Sequence, residues 1–408
     1  METKIELLAP AGDMEKLKTA IYFGADAVYF AGQNYGLRKL ATNFDNDEIV
    51  EAVSYAHAHN VKCYITLNVF ARDNDFLALR DYLDVLVKAN VDGVIISDIG
   101  VMGFVREHAP KLAIHVSTQA NTTNKYSVKE YKKLGAERVV LARELSIEEI
   151  KKIREFDSEI ELEAFVHGAM CISYSGRCLL SNYLTGRDSN HGECVQACRW
   201  HYSLVEDTRP DQKLDIEEDE RGAYILNSKD LCLIDYIDKI VEAGVNSLKI
   251  EGRMKSPYYV ATVVNAYRRA IDLYMQLKVQ GKPYKVPEIL HAELNKASHR
   301  SYTTGFMFPD GKIKQNLESA AQVQDSMFMG LVIKGDNHNA TIEQRNKFAV
   351  GDTLELLCPN DNFNKTITIT KIINSKGQSV DVAKLVQEQL IIYYNEDIVL
   401  NPGDILRK

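Results

Sequence analysis

Short apolar runs alternate with longer amphipathic stretches over residues 1–280. Eight runs have the composition of buried strands, and between most of them apolar residues recur at helical spacing, as in DEIVEAVSYAHAH. Strands that are each followed by a helix predict a parallel (βα)8 barrel; a doubly wound open sheet is the alternative, because periodicity does not report closure. The runs are IELLAP (5–10), AVYFAG (27–32), KCYITLN (62–68), GVIISD (93–98), AIHVSTQAN (113–121), RVVLAREL (138–145), IELEAFVHG (160–168) and SLKIEGR (247–253).

The alternation is interrupted once, after the seventh run. The segment GAMCISYSGRCLLSNYLTGRDSNHGECVQACRW (168–200) follows that strand and contains four of the seven cysteines. We predict an insertion over residues 169–222. In a barrel of this kind, the loops at the carboxyl ends of the strands build the active site. The insertion is therefore expected to cover the mouth of the barrel.

The remainder of the chain divides into two parts. Residues 324–408 show short alternation with period two, punctuated by Gly, Asn and Asp, which predicts a small antiparallel β-barrel domain. Residues 281–323, with the short helical pattern PEILHAELNKASH, are predicted to connect this domain to the barrel.

Composition narrows the class of protein. The chain has 408 residues, 45% of them hydrophobic and 26% charged, which is typical of a globular protein. No apolar run is long enough to cross a membrane, and METKIELLAPAGD lacks the apolar core of a secretory signal. We therefore expect a cytoplasmic protein, in which stable disulfides are uncommon. The net charge of −8 argues against broad nucleic-acid binding and leaves a local basic patch of Arg177, Arg187 and Arg199 for any RNA partner.

Alternation along the strands predicts which side chains enter the barrel. In the seventh run, Leu162, Ala164 and Val166 form one apolar face. The opposite face of this run and of three others is polar, and we expect it to point inward. Its members are Tyr64, Thr66, Asn68, His115, Ser117, Gln119, Glu161, Glu163, Phe165, His167, Lys249, Glu251 and Arg253.

These inward polar residues have two interpretations. Burying carboxylates and cations without partners is costly, so they either form a buried ion-pair network or make the polar floor of an active site. Arginine suits carboxylate recognition because two parallel N–H groups of its guanidinium can bind both carboxylate oxygens. The active-site interpretation assigns an anionic small molecule to Arg143, Lys249 and Arg253, proton transfer to Glu163, His167 and Glu251, and orientation of the substrate to Gln119 and Asn121.

The cysteine spacing is Cys171-x6-Cys178-x15-Cys194-x3-Cys198, with Cys232 farther along. Disulfides, zinc, a nucleophile and an iron–sulfur cluster are the alternatives. Structural zinc usually shows a close cysteine pair at each end of its site, and only the last pair fits. A nucleophile needs one thiol, which leaves the others unexplained. A four-iron cluster takes four thiolates from irregular loops with uneven spacing, so this reading is favoured.

The stretch EAFVHGAMCISYSGRCLLS resembles the signature of the collagenase-like peptidase family. The resemblance continues through LTGRDSNHGECVQACRW, NSKDLC and SLKIEGRMKS into the C-terminal domain, and so covers essentially the whole chain. The sequence contains neither HExxH nor GxSxG, and no obvious Cys–His pairing that would carry peptide hydrolysis.

The resemblance implies a more specific chemistry. The pattern is similar to oxygen-independent hydroxylases of the family that carry a 4Fe-4S cluster, and most of all to a branch that converts the wobble uridine of tRNA to 5-hydroxyuridine with prephenate as hydroxyl donor. It implies Cys171, Cys178 and Cys194 as cluster ligands. For the fourth ligand Cys198 and Cys232 both match, and we expect Cys232, because a ligand from the next helix would close the insertion onto the barrel.

Other functions remain open at this point. A tRNA base must be unstacked to enter a barrel mouth, and Tyr174, Tyr183 or Trp200 could stack on it. The alternatives are a collagenase-like peptidase, an RNA-binding protein with a structural cluster, and a hydroxylase of a small aromatic compound.

Overall fold

The computed structural model describes residues 5–33, 35–37, 43–171, 173–200, 229–308 and 324–408, and the backbone of four short strands between 205 and 223. Eight parallel strands form a closed barrel, since β13 pairs with both β7 and β1. The strands up to this point are, in chain order, β1 (Glu6–Pro10), β2 (Ala27–Phe30), β3 (Lys62–Leu67), β4 (Gly93–Ile96), β5 (Ala113–Val116), β6 (Arg138–Val140), β7 (Glu161–Ala169), β8 (Val205–Glu206), β9 (Arg209–Lys213), β10 (Glu218–Asp219), β11 (Gly222–Ala223), β12 (Asp230–Cys232) and β13 (Ser247–Ile250). Closure confirms the (βα)8 barrel and rules out the open sheet.

The helices surround the barrel. They are α1 (Met14–Tyr22), α2 (Asn46–Ala58), α3 (Leu79–Lys88), α4 (Ile99–His108), α5 (Lys125–Lys133), α6 (Ile147–Phe156), α7 (Leu180–Thr185), α8 (Ile237–Glu242), α9 (Pro257–Val279) and α10 (Glu288–Asn295). Most of them begin at an N-cap residue whose side chain accepts a hydrogen bond from a backbone amide of the first turn. Asp45 caps α2 in this way, and Ser146 caps α6. Of these helices, α7 belongs to the insertion and α10 to the predicted connecting segment.

The barrel region contains two distinct apolar layers. The larger lies between strands and helices and includes Leu162, Ala164 and Val166, as the alternation predicts. The smaller lies within the barrel and consists of Leu8, Ala27, Tyr29, Tyr64 and Ile95. The polar inward residues lie above and below this small layer.

The alternation breaks at the end of β7. The pairing with β13 shifts so that Lys249 is opposite Phe165, while Ile250 is opposite His167. One extra residue of β7 therefore forms a bulge, which turns the following side chains away from the expected face. Beyond the bulge, β7 also pairs antiparallel with β12, with Cys232 opposite His167.

The C-terminal region folds around its own apolar core. Eight strands make one antiparallel sheet, which confirms the predicted antiparallel β-domain; their order is Thr366–Thr368, Thr353–Leu357, Ile405–Arg407, Phe328–Asp336, Asn339–Gln344, Gln389–Tyr393, Lys371–Ile373 and Ser379–Val380. This region is tied to α10 by the buried pair Arg407–Glu293, at 2.6 Å. The strands are β14 (Tyr302–Thr303), which extends the barrel sheet beside β12, and then β15 (Phe328–Asp336), β16 (Asn339–Gln344), β17 (Phe348–Ala349), β18 (Thr353–Leu357), β19 (Thr366–Thr368), β20 (Lys371–Ile373), β21 (Ser379–Val380), β22 (Val382–Ala383), β23 (Gln389–Tyr393) and β24 (Ile405–Arg407).

Parts of two predicted segments lie outside the described residues. These are residues 309–323 of the connecting segment and several stretches between 201 and 228 in and after the insertion. Among the described helices, none has the length and apolarity needed to cross a membrane.

Candidate active site

The carboxyl ends of the barrel strands surround a polar cavity, which we call the mouth. Five residues predicted for the site line it, namely Gln119, Arg143, Lys249, Glu251 and Arg253. The other lining residues include Thr66, Asn68 and Phe165, which alternation placed inside the barrel, and Tyr29, which it missed. The sequence therefore located most of one wall of this cavity.

Beneath the mouth lies a buried charged network, which we call the floor and define as Glu6, Arg138, Glu163 and Lys249. Lys249 Nζ donates to Glu163 at 2.6 Å, and Arg138 donates to the other oxygen of Glu163 at 3.1 Å. Arg138 also pairs with Glu6 at 2.5 Å. Burial alone would lower the pKa of Arg138, but the charges of Glu163 and Glu6 outweigh burial and raise it.

Glu163 therefore faces the barrel interior as predicted, but it lies under the mouth instead of lining it. Its side chain is fully buried, and both oxygens are bound by cations. The ion-pair interpretation holds for this residue. Arg138 is the member that sequence reasoning missed; the signal was an arginine at the head of an otherwise apolar strand, RVV, which needs carboxylate partners if it points inward.

Arg143 lies at the side of the mouth. Its guanidinium carbon is 3.9 Å from the centroid of the Phe165 ring, and one of its nitrogens is 3.7 Å from a Glu251 oxygen. The ring holds the guanidinium plane in place while leaving its N–H groups at the cavity. Arg143 is thus positioned to bind a carboxylate that enters the mouth.

Arg253 occupies another wall and is 5% exposed. It donates to the Leu37 carbonyl and, at 3.4 Å, to the Thr66 hydroxyl. Lys249 lies across from it, with its ammonium 4.4 Å from the centroid of the Tyr29 ring. Burial lowers the pKa of Lys249, against the opposing charge of Glu163.

The turn after β5 supplies the two predicted amides, Gln119 and Asn121. Gln119 lines the mouth, whereas Asn121 adopts a left-handed conformation with φ of 54° just beyond. The buried Oδ1 of Asn121 has no hydrogen-bond partner among the described residues. Gln119 thus remains a candidate for orienting a substrate, while Asn121 is one step removed from the cavity.

His167 does not reach the mouth. The bulge in β7 turns it outward, where its ring lies 5.4 Å from the rings of both Tyr267 and Tyr302. Neither ring nitrogen has a hydrogen-bond partner among the described residues, and burial lowers the pKa of His167 to about 3. The imidazole thus faces α9 instead of lining the mouth, and its role in proton transfer stays a prediction.

Residues 170–200, which we call the lid, cover one side of the mouth. The Ser175 amide donates to Glu144 at 3.0 Å, and the Phe70 amide donates to the Asn190 carbonyl at 3.2 Å. Gly176 has φ of 73° and lies directly against the Gln119 carbonyl, where a side chain would overlap it. The insertion therefore attaches to the mouth, as predicted from its position after the seventh strand.

The lid brings four cysteines into one neighbourhood. Desolvation raises the pKa of Cys171, and the thiols of Cys178 and Cys194 raise it further. Burial likewise raises the pKa of the Cys198 thiol, and the neighbouring Cys171, Cys194 and Cys178 raise it further. These four sulfurs are thus mutually close, although no three His, Cys, Asp or Glu side chains among the described residues are arranged to hold a single metal ion.

Polar groups surround Cys178 in particular. Burial would raise the pKa of this thiol, but hydrogen bonds from the Ser173 hydroxyl and from the Leu180 and Ser181 amides lower it below its ordinary value. The Gln196 amide likewise donates to the Cys194 sulfur at 3.4 Å. Such donors stabilise thiolates and tune the sulfurs around an iron–sulfur cluster, so this donor set fits one.

Cys232 lies apart from these four. It is half-buried on β12, and its sulfur is 4.0 Å from the Tyr267 hydroxyl. Burial raises its pKa to about 11. The antiparallel pairing of β12 with β7 points its side chain toward α9, and its assignment as the fourth cluster ligand stays a prediction.

Arg143 connects the mouth with the cysteines. A second small cavity is lined by Arg143, Met170, Cys171 and Ser173, among others, and Arg143 lines the mouth as well. The charge of Arg143 also acts on the Cys171 thiol. The outer surface of the lid exposes Tyr174, Tyr183 and Trp200, which are 62%, 86% and 43% exposed, together with Arg177 and Arg187.

Comparison with known families gives this arrangement a context. The model of peptidase family U32 matches residues 12–317, and that of the peptidase family U32 C-terminal domain matches residues 324–407. The chain belongs to peptidase family U32. The two matches cover the barrel with its lid and the C-terminal β-domain, so the resemblance read from the cysteine segment is confirmed.

Individual relatives of this U32 chain carry two kinds of name. It is 42% identical to tRNA hydroxylation protein P1 of Bacillus subtilis, over 99% of this chain and 95% of that protein. It is 37% identical to tRNA hydroxylation protein P of Escherichia coli, over 99% and 97%. A collagenase of Porphyromonas gingivalis is 36% identical over 66% of each chain. The two tRNA hydroxylation proteins thus match this chain over nearly its full length, whereas the collagenase matches two thirds of it.

Proposed function

We propose that this U32 protein is an oxygen-independent tRNA hydroxylase that converts the wobble uridine to 5-hydroxyuridine. Full-length similarity to relatives named for tRNA hydroxylation supports the substrate and the reaction class. The observation that carries the proposal is the position of Arg143, which borders both the polar mouth and the cysteine-lined cavity. An anion held by Arg143 would lie between the barrel floor and the lid cysteines.

We propose that Cys171, Cys178, Cys194 and Cys198 hold a 4Fe-4S cluster. Their shared neighbourhood and the hydrogen-bond donors around Cys178 support this ligand set, and the distant placement of Cys232 speaks against it as a ligand. When bound, the cluster would supply one-electron redox chemistry at the edge of the mouth.

The co-substrate in this proposal is prephenate, an anion with two carboxylates. Arg143 and Arg253 are the residues proposed to bind them, because a planar guanidinium can donate to both oxygens of a carboxylate. Lys249 is the weaker candidate, since its charge is already balanced by Glu163 at 2.6 Å. Its proposed contribution is to hold the floor in place beneath the bound anion.

The remaining roles follow from which side chains line the mouth. Of the three carboxylate or imidazole groups considered for proton transfer, only Glu251 lies at the cavity. Gln119 and Asn68 would orient the uracil through their amides. The exposed Tyr183 and Trp200 on the lid would stack on RNA bases, with Arg177 and Arg187 against phosphates.

Nucleoside mass spectrometry tests the reaction. tRNA from a deletion strain grown without oxygen should lack 5-hydroxyuridine and its derivatives, and the intact gene should restore them, whereas Arg143→Ala should not. Purified anaerobic protein supplied with ¹⁸O-labelled prephenate should place the label in uridine. Unchanged wobble uridines in the deletion strain would refute the function, and unlabelled product would refute only the donor.

Iron content tests the ligand set. Cys198→Ala should lose the iron and the visible absorption of the cluster, whereas Cys232→Ala should retain both. The two variants remove the same atoms, so they control for each other. The reverse result would place Cys232 in the cluster and refute the assignment made from the lid.

Peptide hydrolysis is the second candidate, because a relative covering two thirds of the chain is named a collagenase. Among the described residues that line the mouth there is neither cysteine nor histidine, so a nucleophile–base pair has no evident place there. Cleavage of gelatin by pure protein that is abolished by Glu251→Gln would favour the peptidase. Retained cleavage in that variant would indicate a contaminant.

A further inference from the structure

Helix α5 concentrates positive charge on the surface of an acidic protein. It carries Lys125, Lys129, Lys132 and Lys133 but only one acidic residue, whereas the chain as a whole has a net charge of −8. The spacing of i, i+4, i+7 and i+8 places the four lysines on one helix face. Val128 lies on the buried side of this helix. The lysines therefore form a single outward stripe.

The lysines in the amino-terminal half of this stripe have no acidic partner among the residues that the structure describes. Lys132 pairs with Asp157 and Glu159, both at 2.8 Å, and Lys133 pairs with Glu130 at 2.8 Å. Lys125 and Lys129, in contrast, form no ion pair with any residue that the structure describes. Two positive charges at the amino-terminal half of α5 are thus available to an external anion.

An exposed aromatic pair adjoins these charges. Tyr126 and Phe156 are 64% and 41% exposed, with ring centroids 5.6 Å apart. The Lys125 ammonium lies 5.5 Å and 5.1 Å from the two centroids. Surfaces that bind single-stranded nucleic acid combine aromatic rings for base stacking with cations for phosphates. Protein interfaces are depleted in lysine, so this combination favours RNA as the occupant.

Helix α5 begins close to the mouth in the chain. Helix α5 follows the turn that carries Gln119, and the lid rests on that turn through Gly176. The next lid residue, Arg177, is exposed and close enough to the Tyr131 hydroxyl of α5 for its charge to act on that group, whose pKa is raised by burial. Positive charge therefore extends from the lid toward α5.

We propose that Lys125, Tyr126, Lys129 and Phe156, here called the α5 lysine face, bind the single-stranded RNA backbone and an unstacked base next to the modified uridine. The proposed function supplies the identity of this RNA as the tRNA anticodon loop, and the inference rests on it in that respect. Binding to the α5 lysine face sets affinity and register, and the chemistry remains in the mouth.

The test compares two double variants of the full, cluster-loaded protein. Lys125→Glu/Lys129→Glu reverses the charges of the face, and Lys371→Glu/Lys376→Glu makes the same charge change in the C-terminal domain. Fluorescence anisotropy with unmodified tRNA at several salt concentrations measures affinity. The first variant should bind tenfold or more weakly, and its slope of log affinity against log salt should fall by about two. The control, which lies outside the proposed face, should match the wild type in affinity, salt slope and kcat.

Several outcomes would overturn the proposal. Equal losses in the two variants would show a general effect of net charge, and wild-type affinity in Lys125→Glu/Lys129→Glu would show that RNA does not use this face. Lys125→Gln/Lys129→Gln, with Tm as a check on folding, guards against damage from charge reversal and should still reduce the salt slope. Because binding is measured directly, a wild-type protein that binds tRNA without hydroxylating it would refute the proposed function and leave this inference intact.

Discussion

The floor and the mouth are two halves of one barrel interior that use charge in opposite ways. In the floor, Lys249 and Arg138 both contact Glu163, at 2.6 and 3.1 Å, and the network is buried. In the mouth, Arg143 is 3.7 Å from its carboxylate neighbour and is held mainly by the face of an aromatic ring. The floor is a saturated network that fixes the strands, whereas the mouth keeps directional donors for a ligand.

This contrast predicts that mutations in the floor and in the mouth affect different properties of the protein. Losing a partner in the floor leaves buried charge uncompensated and should reduce the free energy of unfolding. Losing a donor in the mouth should reduce turnover and leave the fold intact. Separate measurements of stability and activity therefore test whether the floor and the mouth differ in this way.

Arg138→Met should have the largest effect. Removing the cation leaves Glu6 and Glu163 short of a partner, and breaking a buried ion pair costs about 3–5 kcal/mol. Urea unfolding measures the loss. The exposed Arg80→Met is the matched control and should change the free energy of unfolding by less than about 0.5 kcal/mol. A similar small change in both variants would show that the floor does not hold the barrel.

Arg143→Lys should come second and should act on activity. Lysine keeps the charge but loses the planar pair of donors, which forfeits a charge-assisted hydrogen bond of about 1.5–3 kcal/mol. We expect kcat/KM for the anionic co-substrate to fall roughly tenfold to 150-fold, while Tm stays near that of the wild type. Unchanged kinetics, or a loss of Tm as large as that of Arg138→Met, would remove the distinction between mouth and floor.

Gly176→Ala should have a smaller, local effect. The left-handed backbone costs a side chain about 1–2 kcal/mol, and the new methyl group would overlap the Gln119 carbonyl. We expect faster hydrogen exchange in the lid and weaker retention of iron, without a change in global unfolding. Gly186→Ala is the control, because Gly186 has a similar φ of 71° but no atom within 4 Å of the added position. Equal effects at both glycines would mean that the contact with the mouth is unimportant.

The smallest expected effect is the acid dependence of the floor. Burial would raise the pKa of Glu6, but the charge of Arg138 and the hydrogen bonds from Arg138, Tyr64 and Ser247 together outweigh burial and hold the pKa below its ordinary value of 4.5. A carboxyl whose pKa is depressed in the folded state contributes stability above pH 4.5, and that contribution is lost as the pH falls through the folded value. The free energy of unfolding should therefore decline more gently below pH 4.5 in Glu6→Gln than in the wild type. Parallel acid limbs would contradict the role given to Glu6.

Much of this arrangement was predictable from the sequence because local patterns encode it. Alternation predicted that Thr66, Phe165 and Lys249 face the interior, and the structure places them there. The position of the cysteine segment after the seventh strand predicted that it lies over the mouth. Both inferences use only neighbouring residues and the fixed direction of parallel strands.

The sequence was less informative where distant segments decide the geometry. A bulge opposite Lys249 places His167 against α9, and no strict alternation rule can include one extra residue. The antiparallel pairing of β12 with β7, which places Cys232 beside Tyr267, cannot be predicted from the spacing of the cysteines. Arg138 was missed because its carboxylate partners come from β1 and β7, which are far from it in sequence.

The direct pairing of β7 with β13 has a consequence for the segment between them. Because these two strands are hydrogen-bonded neighbours, the two ends of the whole segment between them are held together by the barrel itself. Loop-closure entropy grows only logarithmically, so doubling the length of such a segment costs about 0.6 kcal/mol. The barrel can therefore tolerate large changes in the length of the segment that covers its mouth. Variation in this segment could change the substrate at little cost to the stability of the fold.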